Sequence, residues 1–306
     1  EAANDGICVT NDDGRVVDAN PAICALVGYS PELFRGMDMA HLLTGAEREN
    51  WPKTLYGFRR TGNMSGVFSY TMQSGTVKTV EVQGTRVMPG LYLNIVRDIT
   101  ERRRAEQTIH DLAYLDTLTG LANRVALQKR LEQGLAQSQT KHQTLALILL
   151  NLDNFRDINE TLGHPTGDLV LKHVAARLQE TLWEPDMVAR LAADEFALLL
   201  PRLAEARHIK IVVDKITQGF KAPFTVAGIP LDIQPTLGVA LSPEHGTDAD
   251  TLFQRADIAL HSAKKSHRHY AIYDPATNQA DPRQLALIAE LREAIQSDRL
   301  VLHYQP

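Results

Sequence analysis

The hydrophobic pattern of the chain changes near residue 100, and this change limits the possible folds more than any other feature. Before it, short β-like runs are separated by turn residues, which predicts an antiparallel sheet. After it, apolar runs of strand length alternate with amphipathic stretches of helix length. A chain of 306 residues is also too long for one ordinary hydrophobic core. We therefore expect two domains, an α+β domain followed by an α/β sandwich.

The first hundred residues predict a small domain built on hairpins. Residues 7–10 and 15–19 flank a turn of sequence NDDG, which is typical of a hairpin. Asn20 stands before Pro21 and an apolar stretch, so we expect it to cap a short helix. Further antiparallel strands are predicted at residues 67–73, 76–87 and 91–97. This domain is therefore expected to combine one sheet with short helices.

Residues 100–115 predict a helix that links the two domains. Thr100 is a candidate cap, and Ile109, Leu112 and Ala113 form a narrow apolar stripe. Such a stripe suits a helix that pairs with a copy of itself, but it is too short to prove a coiled coil. Self-pairing and a solvated connector packed on its own domain therefore both stay open.

The rest of the chain predicts alternating helices and strands. Helices are expected at residues 124–137, 169–182, 206–220 and 248–265, and strands at 145–152, 187–191, 196–200 and 231–241. A further helix begins after Pro282 and is followed by a strand near the end. Because a strand needs a partner, we expect these last residues to open another domain of a longer protein.

Composition excludes several classes of protein. Hydrophobic residues make up 44% of the chain and charged residues 23%, which are the values of a globular protein. Cys8 and Cys24 cannot build a disulfide framework, and we expect both to be small buried hydrophobes in a reducing compartment. The net charge of −5 argues against nucleic-acid binding but allows a phosphate ligand at a local cluster of cations. No run reaches the roughly 20 apolar residues of a membrane span. We expect a cytoplasmic chain whose parent could carry a membrane anchor elsewhere.

Polar residues in the second domain predict a phosphate and metal site. Asn151 and Asp153 come at the end of an apolar strand, where polar groups are well placed to hold a ligand. Asp194 and Glu195 lie between two short strands, and Mg²⁺ prefers such carboxylate oxygens. Cations at residues 264–268 end a helix and could clamp a polyphosphate.

The order of five motifs in this domain resembles that of the GGDEF domains, the bacterial diguanylate cyclase family. The motifs are DTLTGLANR (116–124), LDNFRDINETLGHPTGD (152–168), RLAADEF (190–196), LGVALSPEHG (237–246) and ADIALHSAKKSHR (256–268). The segments DGRVVDANPAICALVGYSPELFRG (13–36) and VRDITERRRAE (96–106) resemble a PAS sensor domain with its exit linker. The tail LVLHYQP (300–306) is similar to the start of an EAL phosphodiesterase domain. The predicted domains are PAS at 1–99, a linker helix at 100–115, a degenerate GGDEF domain at 116–276, and a linker helix with the start of EAL at 277–306.

The resemblance implies a site for GTP. A working cyclase joins two GTP molecules, one held by each subunit of a homodimer, and uses metal charge and positioning. The positions that match the nucleotide-binding residues of the family are Phe155, Arg156, Asn159, Asp168, Lys264 and Arg268. Asp194 matches a metal ligand, Asn151 matches a second metal position, and Glu195 matches the catalytic residue of an active member.

This sequence departs from the family pattern in ways that weaken the cyclase prediction. Asn151 stands where active members have aspartate, so one negative charge that would offset Mg²⁺ is missing. Ala192 and Ala193 replace the two signature glycines, and alanine in left-handed backbone costs roughly 1–2 kcal/mol. The stretch before the signature, WEPD (183–186), also lacks the arginine of the family's product-inhibition site. We therefore expect Mg²⁺ binding to be weak or lost.

Three functions stay open from the sequence. The chain could be the sensory and regulatory part of a cyclic-di-GMP phosphodiesterase, with a GTP-binding or structural GGDEF domain beside the EAL domain. It could instead be a weakly active cyclase, or a dimerisation scaffold that binds no nucleotide, paired through PAS and the linker helix. The PAS ligand is unknown: His41 could bind haem and Trp51 could line a flavin pocket, although packing is the commoner role of such residues.

Overall fold

The computed structural model describes residues 5–141, 143–182 and 185–276, together with Ser297. It divides into two compact units, residues 1–111 and 112–306. The helix and strand predicted after Pro282, the EAL-like tail and part of the WEPD stretch lie outside the described residues.

The N-terminal unit is built on one antiparallel sheet of five strands. The strands are β1 (Gly6–Asn11), β2 (Val16–Ala19), β3 (Asn63–Thr71), β4 (Val77–Met88) and β5 (Leu91–Asp98). Their spatial order is β2-β1-β5-β4-β3. The helices are α1 (Pro21–Val27), α2 (Pro31–Phe34) and α3 (Gly45–Thr61), and a short 3₁₀ turn covers Met39–Leu42. The predicted hairpin and the three later strands are confirmed, with ends that shift by a few residues.

Local hydrogen bonds explain how this unit begins. The Asn20 side chain accepts from the amide of Ile23, as an N-cap does, and also from the amide of Ile7, both at 2.9 Å. It therefore fixes α1 to β1. Cys8 and Cys24 are buried in the core, as predicted. Burial is the main reason that the pKa of the Cys8 thiol is raised to about 12, so the thiol stays protonated at neutral pH.

The linker helix α4 spans Thr100–Tyr114, and none of its residues is buried. The prediction of Thr100 as its cap is wrong. The Thr100 hydroxyl instead accepts from the amide of Thr79 at 2.9 Å, because the helix already begins at Thr100 and its first side chain reaches back to β4. Ile109 and Leu112 of the predicted stripe are 67% and 62% exposed.

The C-terminal unit is a sheet covered by helices on both faces. Its helices are α5 (Arg124–Lys141), α6 (Phe155–Leu162), α7 (His164–Thr181), α8 (Ile209–Phe220) and α9 (Ala249–Lys265). Its strands are β6 (Thr144–Leu152), β7 (Met187–Ala192), β8 (Glu195–Leu203), β9 (Phe224–Val226), β10 (Ile229–Leu231), β11 (Pro235–Ser242) and β12 (Tyr270–Ile272). The large sheet has the order β12-β11-β6-β8-β7, and β9 pairs separately with β10. The predicted fold class, an antiparallel PAS-type sheet followed by an α/β sandwich, is confirmed.

The central strand β6 positions the candidate site. Eight of its nine residues are buried, which explains its continuous apolar run. Leu150 belongs to the core cluster that includes α7 and α8, whereas Leu149 belongs to the cluster that includes α5 and α9. Leu152, the last residue of β6, still belongs to the first cluster, and the polar residues Asn151 and Asp153 flank it at this end of the sheet. In the described part of the chain, no helix has the length and apolarity needed to cross a bilayer.

Candidate functional site

A neutral amide joins the three elements of the site. Asn151 at the end of β6 is 9% exposed. Its Nδ2 donates to Asp194 Oδ2 at 3.0 Å, and its Oδ1 accepts from Lys264 Nζ at 2.7 Å. An ammonium group can only donate and an ionised carboxylate can only accept, so these neighbours fix the orientation of the amide. The bonds link β6 to α9 and to the turn between β7 and β8.

This network borders a cleft of about 550 Å³. The charged side chains that line the cleft are Asp153, Arg156, Asp194, Lys264 and Arg268, with His267 and His269 beside them. The predicted metal positions and phosphate clamps are thus gathered around one space. Among its aspartate, lysine and arginine side chains, the cations outnumber the carboxylates, so the cleft suits an anionic ligand.

A second cleft of about 390 Å³ shares part of this lining. Phe155, Arg156 and Asp194 line both clefts, and the second also includes Asn159 and His164. A ligand with a polar ring and a phosphate tail could therefore extend from one into the other. His164 is exposed and is the first residue of α7.

Gly167 lies inside α7, close to the side chain of Asn159. A Cβ at this position would come within 3.0 Å of Asn159 Cγ and closer still to its amide oxygen. The glycine therefore leaves room for the Asn159 side chain. Asp168, the next residue of α7, is exposed and lines neither of these two clefts.

Glu195 lies beside the network but outside both clefts. It opens β8 directly opposite Asn151 in the register, and directly opposed residues share one face of a sheet. Its side chain is exposed and lines neither cleft. The predicted catalytic residue thus neighbours the candidate metal positions without touching the space that a ligand would fill.

An arginine that sequence reasoning missed holds the signature turn. Arg190 Nε and Nη2 donate to the carbonyl of Ala193 at 3.0 and 2.8 Å. Its Nη1 donates to both carboxylate oxygens of Asp116 at 3.0 and 3.1 Å. Asp116 and Arg190 are the first residues of two motifs that the sequence singles out, DTLTG and RLAADEF. Their opposite charges were the one feature of the sequence that could have indicated this ion pair.

Ala193 occupies left-handed backbone with a φ of 35°, whereas Ala192 does not. We expect Ala193→Gly to raise the free energy of unfolding by about 1 kcal/mol, because glycine removes the Cβ strain. Ala192→Gly is the matched control. It should lower the free energy of unfolding by about 0.5–1 kcal/mol, because a glycine in a strand loses more conformational entropy on folding and relieves no strain there. Urea unfolding measures both, and a loss of stability in Ala193→Gly would contradict the strain.

The residues present do not fit a resident magnesium ion. Mg²⁺ needs oxygen ligands in octahedral geometry. Asp194 already accepts from the Asn151 amide, and both oxygens of Asp153 lie 2.8–2.9 Å from the Thr236 hydroxyl. The contact with Thr236 ties the loop after β6 to β11. Among the residues that the structure describes, no group of three or more His, Cys, Asp or Glu side chains could hold a metal ion.

The core of the N-terminal unit is closed around Trp51. This residue is 9% exposed, and the cavity that it lines with Thr10 and Asn94 measures about 10 Å³. That is the space of one water molecule, whereas ligand pockets start near 300 Å³. His41 is exposed and does not line this cavity. In this conformation, the cavity beside Trp51 is too small for haem or flavin, and His41 does not line it.

Comparisons with known proteins agree with this architecture. The family model described as diguanylate cyclase, GGDEF domain, matches residues 113–270, and a PAS fold model matches residues 1–104. An uncharacterized signaling protein of Caulobacter vibrioides is 34% identical over 100% of this chain and 38% of its own length. The cyclic di-GMP phosphodiesterase PdeR of Escherichia coli is 33% identical over 68% of this chain and 31% of its own length.

A solved structure supports the fold of the C-terminal unit. The GGDEF domain of TpbB, also called YfiN, from Pseudomonas aeruginosa is 35% identical and superposes with a TM-score of 0.53. The match covers 56% of this chain and 99% of that domain.

Proposed function

Because this chain belongs to the GGDEF family and carries a PAS domain ahead of it, we propose that it is the sensory and regulatory part of a cyclic-di-GMP phosphodiesterase. In this proposal, the GGDEF domain binds GTP, or acts structurally, without turning it over. Ligand binding to the GGDEF domain shifts the equilibrium between two conformations of the protein, and this shift regulates an EAL domain that follows in the same chain. We place the protein in the cytoplasm, with no nucleic-acid partner.

The observation that carries the proposal is the neutral Asn151 amide between Lys264 and Asp194. It removes one anionic ligand from the metal position that phosphoryl transfer needs, so Mg²⁺ binding should be weak or lost. Asn159 still lines the smaller cleft and the cations still line the larger one, with Phe155 and Arg156 common to both, so a nucleotide can be recognised without being turned over.

The EAL part rests on relatives that are much longer than this chain. The chain spans about a third of the length of the two curated relatives described above. The E. coli relative is a cyclic di-GMP phosphodiesterase. The end of this sequence resembles the start of an EAL domain, and together these likenesses support a phosphodiesterase as the regulated partner.

Two other functions have an observation in their favour. Retention of Asp194 and Glu195 favours a weakly active cyclase that makes cyclic-di-GMP from two GTP molecules. The exposed Ile109 and Leu112 of α4 favour a homodimer paired through PAS and the linker helix, which could serve as a scaffold without nucleotide. Self-pairing is compatible with all three functions, so only nucleotide binding and turnover separate them.

One assay decides between them. The 306-residue chain is incubated with GTP and Mg²⁺, and both GTP binding and formation of cyclic-di-GMP are followed. We expect binding with no more product than a Glu195→Ala control gives. Product above that control would make the chain a cyclase and overturn our proposal. Absence of binding at millimolar GTP would leave the structural role alone.

A further inference from the structure

The charge on the lining of the larger cleft differs from that of a metal-dependent site. Its cationic side chains are Arg156, Lys264 and Arg268, and its carboxylates are Asp153 and Asp194. Among these five side chains, one positive charge is in excess. An aspartate at position 151 would cancel that excess, and a polyphosphate would then need a divalent cation to offset its own charge.

The hydrogen bonds around Asn151 also work against a metal ion. Its Oδ1, the atom that could coordinate, lies 2.7 Å from the Lys264 ammonium. A divalent cation on Oδ1 would therefore sit beside a positive charge, which is strongly unfavourable in a partly buried site. Turning the amide over would place Nδ2 against the ammonium and Oδ1 against the Asp194 carboxylate, so both bonds would be lost.

The cations that line the cleft still have donors to offer a phosphate, since an ammonium carries three N–H groups and a guanidinium five. Lys264 sits in the last turn of α9, and Arg268 follows a few residues later. Arg156 approaches from α6, where its ion pair with Glu160 at 2.6 Å is exposed and therefore worth little. A phosphate chain can displace Glu160 at small cost and be held from both sides.

We propose that this cleft binds its guanine nucleotide without a divalent cation, and that the Lys264 ammonium supplies the charge that a metal ion would supply in its place. This inference rests on the proposed function, in which the cleft takes GTP. It identifies the ligand as the metal-free nucleotide and gives a reason for the loss of turnover, since binding no longer brings the metal that the chemistry requires.

Calorimetry of GTP binding to the 306-residue chain tests the inference, with excess EDTA in one buffer and millimolar Mg²⁺ in the other. For the wild type, we expect GTP to bind in EDTA and millimolar Mg²⁺ to give no tighter binding, because a magnesium ion carried by the nucleotide has to be released before the nucleotide enters the cleft. Asn151→Asp is the matched variant of equal size. We expect Mg²⁺ to tighten its GTP binding by about tenfold or more, because the added carboxylate restores an anionic ligand. Lys264→Met should weaken binding in both buffers.

A second readout does not depend on the nucleotide. Mn²⁺ titration followed by electron paramagnetic resonance should show binding to Asn151→Asp and not to the wild type. Wild-type GTP binding that appears only with Mg²⁺, or a wild-type Mn²⁺ site, would overturn the metal-free inference and leave GTP binding intact. Absence of GTP binding in both buffers would overturn the proposal that the domain binds GTP, and this inference with it. The two failures are therefore distinguishable.

Discussion

Gly238→Ala will destabilise the C-terminal unit by about 3 kcal/mol and will also weaken GTP binding. Gly238 lies in β11, where α9 crosses the sheet with its backbone against the glycine. A Cβ there would come within 2.6 Å of Leu260 Cα and would also overlap the carbonyl of Ala256. Since both obstacles are main-chain atoms, no side-chain rotation relieves the clash, and α9 must move away by roughly 1 Å.

That movement connects stability with function. Lys264 stands one turn beyond Leu260 on α9, and its bond to Asn151 depends on how closely α9 approaches the sheet. Gly219→Ala is the matched control, because Gly219 lies in α8 and its added Cβ would meet only an ordinary contact at 3.6 Å. We expect the control to be neutral or stabilising by up to about 1 kcal/mol. Equal urea-unfolding curves for Gly238→Ala and the wild type would contradict the close approach.

Elements with both faces covered could be predicted from the sequence. β6 reads as an unbroken apolar run because helices cover both sides of it, and the shortness of the run favours a strand over a buried helix. The break between β10 and β11 could not be predicted. The residues between them include Ile233, which is 1% exposed, so the apolar pattern continues while the strand stops.

The candidate site, too, could be predicted only in part. The residue types at positions 151, 194 and 264 indicated a phosphate site, but their mutual bonds could not be derived. Asn151 and Lys264 are 113 positions apart, and only the packing of α9 on the sheet brings them within hydrogen-bond distance.

Arg190 shows how a structural side chain can be decisive for a site that it does not line. Its guanidinium connects Asp116, at the start of the domain, with the carbonyl of Ala193 in the signature turn. The Arg190 and Asp116 side chains are 12% and 21% exposed, so water cannot fully replace these bonds. Arg190→Met should therefore lower the free energy of unfolding by about 3 kcal/mol. Arg202→Met on the exposed side of β8 is the control and should change it by less than about 0.5 kcal/mol.

The pH dependence identifies the ion pair as the cause of this loss. Burial favours the neutral form of Asp116, but hydrogen bonds from Thr119 and the Arg190 guanidinium outweigh it, so the pKa of Asp116 lies below its ordinary value. A lowered pKa means that this stabilisation is complete above about pH 4 and is lost as the pH falls through the lowered pKa. The difference between wild type and Arg190→Met should therefore be constant near neutral pH and should narrow in acid. Urea unfolding at a series of pH values measures it, and a difference that stays the same in acid would assign the loss to packing of the arginine stem instead of to its charge.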